Sequence, residues 1–118
     1  MLTPKVNVTD EGNVRVLKAR GEFVGGNETD DLREILAKES ESGTQRLLID
    51  LEDVTYLNSS ALGVLIAAHS NFTKREGQLG LCNISDGINN IFVITKLSLV
   101  FNVFDSREEG LKALSAEN

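Results

Sequence analysis

The chain has 118 residues, enough for one domain with a proper core, and its 41% hydrophobic and 25% charged residues are those of an ordinary globular protein. A net charge of -6, with no basic cluster of four or more residues, argues against a nucleic-acid backbone or an anionic membrane as partner. Cys82 is the single cysteine, which excludes an intrachain disulfide and a cysteine-based metal site and fits a reducing cytoplasm.

In chain order, the opening Met1-Leu2-Thr3-Pro4-Lys5 lacks the apolar stretch of a signal peptide. Val6 to Val8 and Val14 to Ala19 read as short strands around a turn at Asp10-Glu11-Gly12-Asn13. Asn27 to Ser42 is predicted helical, with Leu32, Ile35 and Leu36 on one face and Gly43 where helices stop. Arg46 to Leu51 carries Leu47, Leu48 and Ile49 in succession, the mark of a central strand covered on both faces. Val54 to Leu57 continues toward a second helix, Ser60 to Glu76, whose last turn places Lys74 and Arg75 ahead of Gly77. That helix contains the longest apolar run, Val64 to Ala68, far too short to span a bilayer. Leu79 to Cys82 is a further strand. Ser85 reads as the N-cap of a third helix presenting Ile88, Ile91, Phe92 and Leu97. Val100 to Phe104 follows as the last strand, and Ser106-Arg107-Glu108-Glu109 as a capping box that opens a terminal helix with Leu111 and Leu114. No internal repeat or linker interrupts this order. The alternation predicts a single α/β domain with a mostly covered sheet.

Catalytic machinery is hard to assemble from these residues. His69 is the only histidine. Measured from serines at the start of the second helix it lies roughly 14 Å along the axis, at ~1.5 Å per residue, beyond the reach of a general base. Its simpler role is a helix residue half in the core. Gly25-Gly26-Asn27 has neither the Lys-Ser/Thr of a P-loop nor the spaced glycines of a dinucleotide fingerprint, and reads as a turn before a helix. Cys82, in an apolar strand, reads as a small buried hydrophobe. No metal or other cofactor is expected, and no enzymatic activity.

Asp50 to Leu65 stands out, because Ser59 and Ser60 sit where a buried strand turns into a strongly apolar helix. One serine suffices to cap that helix, which leaves the other for solvent or a partner. A phosphate there would face the helix N-terminus, which favours anions, so the position permits a phosphoserine without requiring one.

Four stretches in order make the chain resemble a STAS domain of the anti-sigma factor antagonist type over nearly its whole length, 1–118. They are Arg20-Gly21-Glu22-Phe23 with Asp31-Leu32-Arg33, which resembles the family's turn into its first helix, and Leu48-Ile49-Asp50-Leu51 with Val54, Tyr56 and Leu57. The third is Asn58-Ser59-Ser60-Ala61-Leu62-Gly63, similar to the signature Asp-Ser-Ser/Thr-Gly-Leu-Gly. The fourth is Ile91-Phe92, Ile94-Thr95-Lys96-Leu97, Val103-Phe104-Asp105-Ser106 and Glu108-Glu109. The chain departs from the family at Asn58 (for Asp), Ala61 (for Gly) and Val24 (for an acidic residue), with one extra residue in the Gly25-Gly26 turn.

The resemblance implies a mixed sheet of four to five strands packed by about four helices, and a partner-switching role. The unphosphorylated protein would sequester an anti-sigma factor that is also a serine kinase of the Bergerat ATPase fold. That kinase would phosphorylate the first serine of the signature, here Ser59 with Ser60 as neighbour, and a serine phosphatase would reverse the step. Asn58, Ser59, Ser60, Ala61 and Leu62 would form the partner-binding segment. The alternative is a non-titrating STAS subunit, a structural or scaffold piece of a larger transporter or signalling assembly. A small enzyme or nucleotide-binding protein is disfavoured by the missing chemistry.

Overall fold

A computed structural model describes residues 6–115, so the Met1 to Lys5 segment read above lies outside the described residues. β1 (Val6–Glu11) and β2 (Val14–Phe23) form an antiparallel hairpin, and α1 (Gly26–Glu41) carries the chain across to β3 (Arg46–Leu57). α2 (Ser59–Lys74), β4 (Gln78–Cys82), α3 (Asp86–Ile94), a 3-10 turn (Leu97–Leu99), β5 (Asn102–Phe104) and α4 (Arg107–Ser115) complete the order. The strands lie side by side in sequence order, antiparallel between β1 and β2 and parallel from β2 through β5. This is the mixed, helix-packed sheet expected from the sequence.

β3 is the central strand, and alternation along it explains its unbroken apolar run. Leu47, Ile49 and Leu51 join the larger core with Leu32 and Leu36 of α1, Leu65 and Phe72 of α2, and Ile88 and Phe92 of α3. Leu48 points the other way, into a smaller core with Val14, Val16, Cys82 and Leu114 of α4. Helix α4 sits very close to this second face, since a Cβ on Gly110 would stand 2.7 Å from a Leu48 methyl carbon.

Several boundaries differ from expectation for local reasons. β2 runs on to Phe23 through two irregularities in its pairing with β3, so Arg20 to Phe23 is strand rather than turn. α3 stops at Ile94, because the Thr95 hydroxyl donates to the Ile91 carbonyl (2.7 Å) and Lys96 turns left-handed (φ 65). Leu97 therefore belongs to the 3-10 turn, and β5 starts only at Asn102. At the end of α2 it is Glu76 that takes the left-handed turn (φ 60). Gly77 matters for space, since a Cβ there would meet the Gln45 carbonyl at 3.1 Å. The terminal capping box forms in altered shape. Ser106 accepts from the Glu109 amide (3.1 Å), but Glu109 reaches back to the amide of Asp105 (3.2 Å).

Asp50 is a buried carboxylate, 1% exposed, at the last β3 residue paired with β4. Oδ1 accepts from Asn83 Nδ2 (3.0 Å) and the Glu52 amide (3.0 Å), and Oδ2 from Arg107 Nε (2.9 Å) and Nη2 (2.8 Å). Burial alone would raise its pKa, but the hydrogen bonds from Asn83, Glu52 and Arg107 together outweigh it and hold the carboxyl below the usual carboxylate range. A depressed folded pKa contributes stability that is complete above the unfolded value, about 3.9, and is lost as pH falls through the folded one. Asp50→Asn is expected to cost about 2–4 kcal/mol, at the lower side of values for buried pairs because Arg107 stays partly solvated. It should also flatten the acid limb of urea-midpoint-against-pH curves. An unchanged acid limb would remove Asp50 from that role.

Candidate functional site

The start of α2 is set by the sheet. β2 and β3 stay paired to Phe23 and Leu57, and the Asn58 amide donates to the Phe23 carbonyl at 2.9 Å. That extended residue is the N-cap: Asn58 Oδ1 accepts from the Ala61 amide (3.0 Å) and its carbonyl from Leu62 (3.0 Å). The β2–α1 turn closes over it. Gly25 and Gly26 both have positive φ (93 and 73), and a Cβ on Gly25 would come to 3.7 Å from Asn58 Nδ2. The Gly25 amide is held by the buried Thr29 hydroxyl (3.0 Å).

The cap was expected from one of the serines, and its assignment to Asn58 corrects that reading. Ser59 and Ser60 become the first two helical residues, both exposed. Of the remaining segment, Leu62 is half-buried whereas Ala61 is fully buried, so Ala61 shapes the surface from below and offers no side chain to a partner. Val24 and Tyr56, 53% and 47% exposed, stand on the flanking turn and strand.

Successive helical residues point about 100° apart, so the two serines open onto different flanks of α2. Ser59 shares its flank with Leu62 and Ile66, leading toward His69, whose ring packs edge-on against Phe101 at 5.2 Å. Ser60 lines a groove of about 330 Å³ between α1 and α2, with Gly63, Val64, Ala67, Arg33 and Leu36. Sequence reading missed this groove. Its only signals were small residues four apart on α2, Gly63 and Ala67, and an arginine one helical turn before Leu36 and Ala37 on α1. Gly63 is unexplained by the fold: its φ is not positive and a Cβ there would meet nothing within 4 Å, yet glycine costs about 1 kcal/mol against alanine inside a helix.

Cys82 is buried beside Asp50, and burial first, then the carboxylate, push its thiol up to about 12. No group of His, Cys, Asp and Glu is placed to hold a metal among the described residues. None of their helices is long and apolar enough to cross a membrane.

The sequence and the fold are similar to those of known proteins. The sequence pattern of the STAS domain covers residues 5–110. The chain belongs to the STAS domain family. An anti-sigma-B factor antagonist of Staphylococcus aureus is 28% identical over 78 residues, 66% of this chain and 72% of that protein. Among solved STAS-like folds, a Thermotoga maritima protein superposes with a TM-score of 0.87 at 16% identity, covering 94% of this chain and 95% of that one. The Bacillus cell fate determinant SpoIIAA, in its phosphorylated form, superposes at 0.73 and 15% identity over 92% and 97%.

Removing the cap distinguishes the three polar residues. Asn58→Ala is expected to lose ~1 kcal/mol in urea titration, within about 0.5–2. Asn58→Asp keeps the bond and gains about 0.3–1 kcal/mol from the helix dipole at low salt. Ser60→Ala should stay within about 0.5 kcal/mol of the parent. A Ser60→Ala loss equal to that of Asn58→Ala would return the cap to the serine.

Proposed function

We propose that this STAS domain is an anti-sigma factor antagonist working as a phosphorylation-controlled binding module in the cytoplasm, not as an enzyme. Its unphosphorylated form sequesters an anti-sigma factor that is also a serine kinase of the Bergerat ATPase fold. The kinase transfers the γ-phosphoryl group of ATP to Ser59 Oγ, which gives up its proton as ADP leaves; a serine phosphatase hydrolyses the ester. Nucleic acid and membrane are not partners.

The observation that carries this reading is the state of Ser59. Because Asn58 supplies the cap, the Ser59 hydroxyl is exposed on the first turn of α2 and has no structural duty there. The S. aureus relative, named as an antagonist of an anti-sigma factor, and the phosphorylated SpoIIAA fold support the same direction.

Release follows from charge. The helix dipole returns typically ~0.3–1 kcal/mol to a phosphate, and up to ~2 in a partly buried site. Desolvating that phosphate against a packed interface costs several kcal/mol. A carboxylate next to the acceptor would help orient the hydroxyl or a nucleotide-bound metal, so Asn58 is expected to slow transfer without preventing it.

Calorimetric titration against each kinase-type anti-sigma factor of the source genome tests the reading. Ser59→Asp should bind at least about a hundredfold more weakly than the parent, equivalent to about 2.8 kcal/mol. In time courses of phosphate incorporation Ser59→Ala should take up none, Ser60→Ala most of the parent amount, and Asn58→Asp should react faster with little change in affinity. Phosphate found on Ser60 alone would reverse the assignment. Binding without any phosphorylation would replace the switch by the non-titrating subunit of a transporter or signalling assembly.

A further inference from the structure

We infer that the groove between α1 and α2 is where the anti-sigma factor docks, seating an apolar side chain over Gly63 with a neighbouring carboxylate on Arg33. This rests on the function proposed above and specifies the chemistry of the partner segment.

Three features select that occupant. The floor is apolar, built by Leu36 and Val64, which are themselves buried in the core, so it is rigid rather than adaptable. Gly63 is exposed on one wall, with open space where a side chain would stand. The fold has no use for a glycine at this helical position, which helix propensity disfavours, whereas an entering side chain gains close access to the α2 backbone.

The third feature is charge. Arg33 is the only ionisable residue lining the groove, in a chain of net charge -6. Asp30 holds Nη1 at 2.7 Å, an exposed pair that leaves the rest of the guanidinium for a second carboxylate. Ser60 lines the same groove at the N-terminal turn of α2, whose dipole also favours negative charge. The mouth of the groove therefore holds an Arg33–Asp30 pair whose remaining guanidinium N–H groups can donate to a carboxylate beside an apolar residue. A second exposed apolar segment, around Ile94 (80% exposed) and Leu99 (82% exposed), has Lys96 as the single charged residue in the sequence from Gly87 to Phe104 and selects no such partner.

The test uses Gly63→Leu and Arg33→Glu in the full chain, titrated against the anti-sigma factor that binds the parent protein. A Cβ at 63 meets nothing within 4 Å and leucine improves helix propensity, so the melting temperature of Gly63→Leu should hold or rise. Its side chain occupies the groove, so affinity should fall at least tenfold. Arg33→Glu should fall by a similar factor, and a peptide carrying Glu-Leu should shift the amide resonances of Ser60, Gly63 and Ala67 in the parent only. Parent-like affinity in both variants overturns the inference and leaves the proposed function standing. If the parent binds no anti-sigma factor, that function fails. The peptide then decides the groove alone, and shifts elsewhere or none at 10 mM (on the order of a weak Kd) overturn it. A concentration-dependent dimer of the parent, lost in Gly63→Leu, would make the occupant a second copy and overturn it as well.

Discussion

The carboxylate of Asp50 lies where the sheet changes width. Up to this residue β3 has parallel neighbours on both sides; beyond it, β4 ends at Cys82 and only β2 continues alongside, to Phe23 and Leu57. Four hydrogen bonds converge on Asp50 at that divergence, from its own strand, from Asn83 in the turn leading to α3, and from Arg107 at the start of α4. Arg107 also reaches Glu11 of β1 at 3.6 Å. One buried charge thus fixes the departure of β4 and the seating of α4, at a desolvation cost that full hydrogen bonding offsets. The two-stranded extension it leaves free carries the start of α2 outward.

At the tip of that extension, backbone pairing decides side-chain roles. Phe23 holds the Asn58 amide, Asn58 therefore takes the extended cap conformation, and the two serines enter the helix with their hydroxyls unengaged by the cap. Their one-residue offset separates them by a quarter turn and more, so the Ser59 hydroxyl and the groove-lining Ser60 hydroxyl occupy neighbouring but different faces. A charge added to one face stands close enough to be felt on the other, since interactions within a Debye length of about 8–10 Å are only partly screened.

The residues that could have suggested catalysis are occupied with packing. His69 lies against Phe101, and Phe101 against Phe92 at 5.6 Å, joining the residue just before β5 to α2 and α3. Cys82 fills the smaller core, where a raised pKa keeps it a neutral thiol.

Period and punctuation determined much of this protein from sequence alone. Three consecutive apolar residues, Leu47 to Ile49, marked the strand with a core on each face, and Gly43 and Ser85 marked a helix end and a helix start that the structure reproduces. The motif from Asn58 to Gly63 marked the candidate site at the strand-to-helix turn. Which residue of Asn58, Ser59 and Ser60 caps the helix was not legible, because all three side chains can accept from a free amide; the β2–β3 ladder chooses by placing Asn58 in the extended conformation. The end of α3 was hidden because apolar residues continue past it, and a local hydroxyl bond and a left-handed lysine, not hydropathy, terminate the helix. The groove was hidden for a deeper reason. Arg33 and Gly63 are thirty residues apart, and they share a cavity only because both crossover helices pack side by side on one face of a parallel sheet.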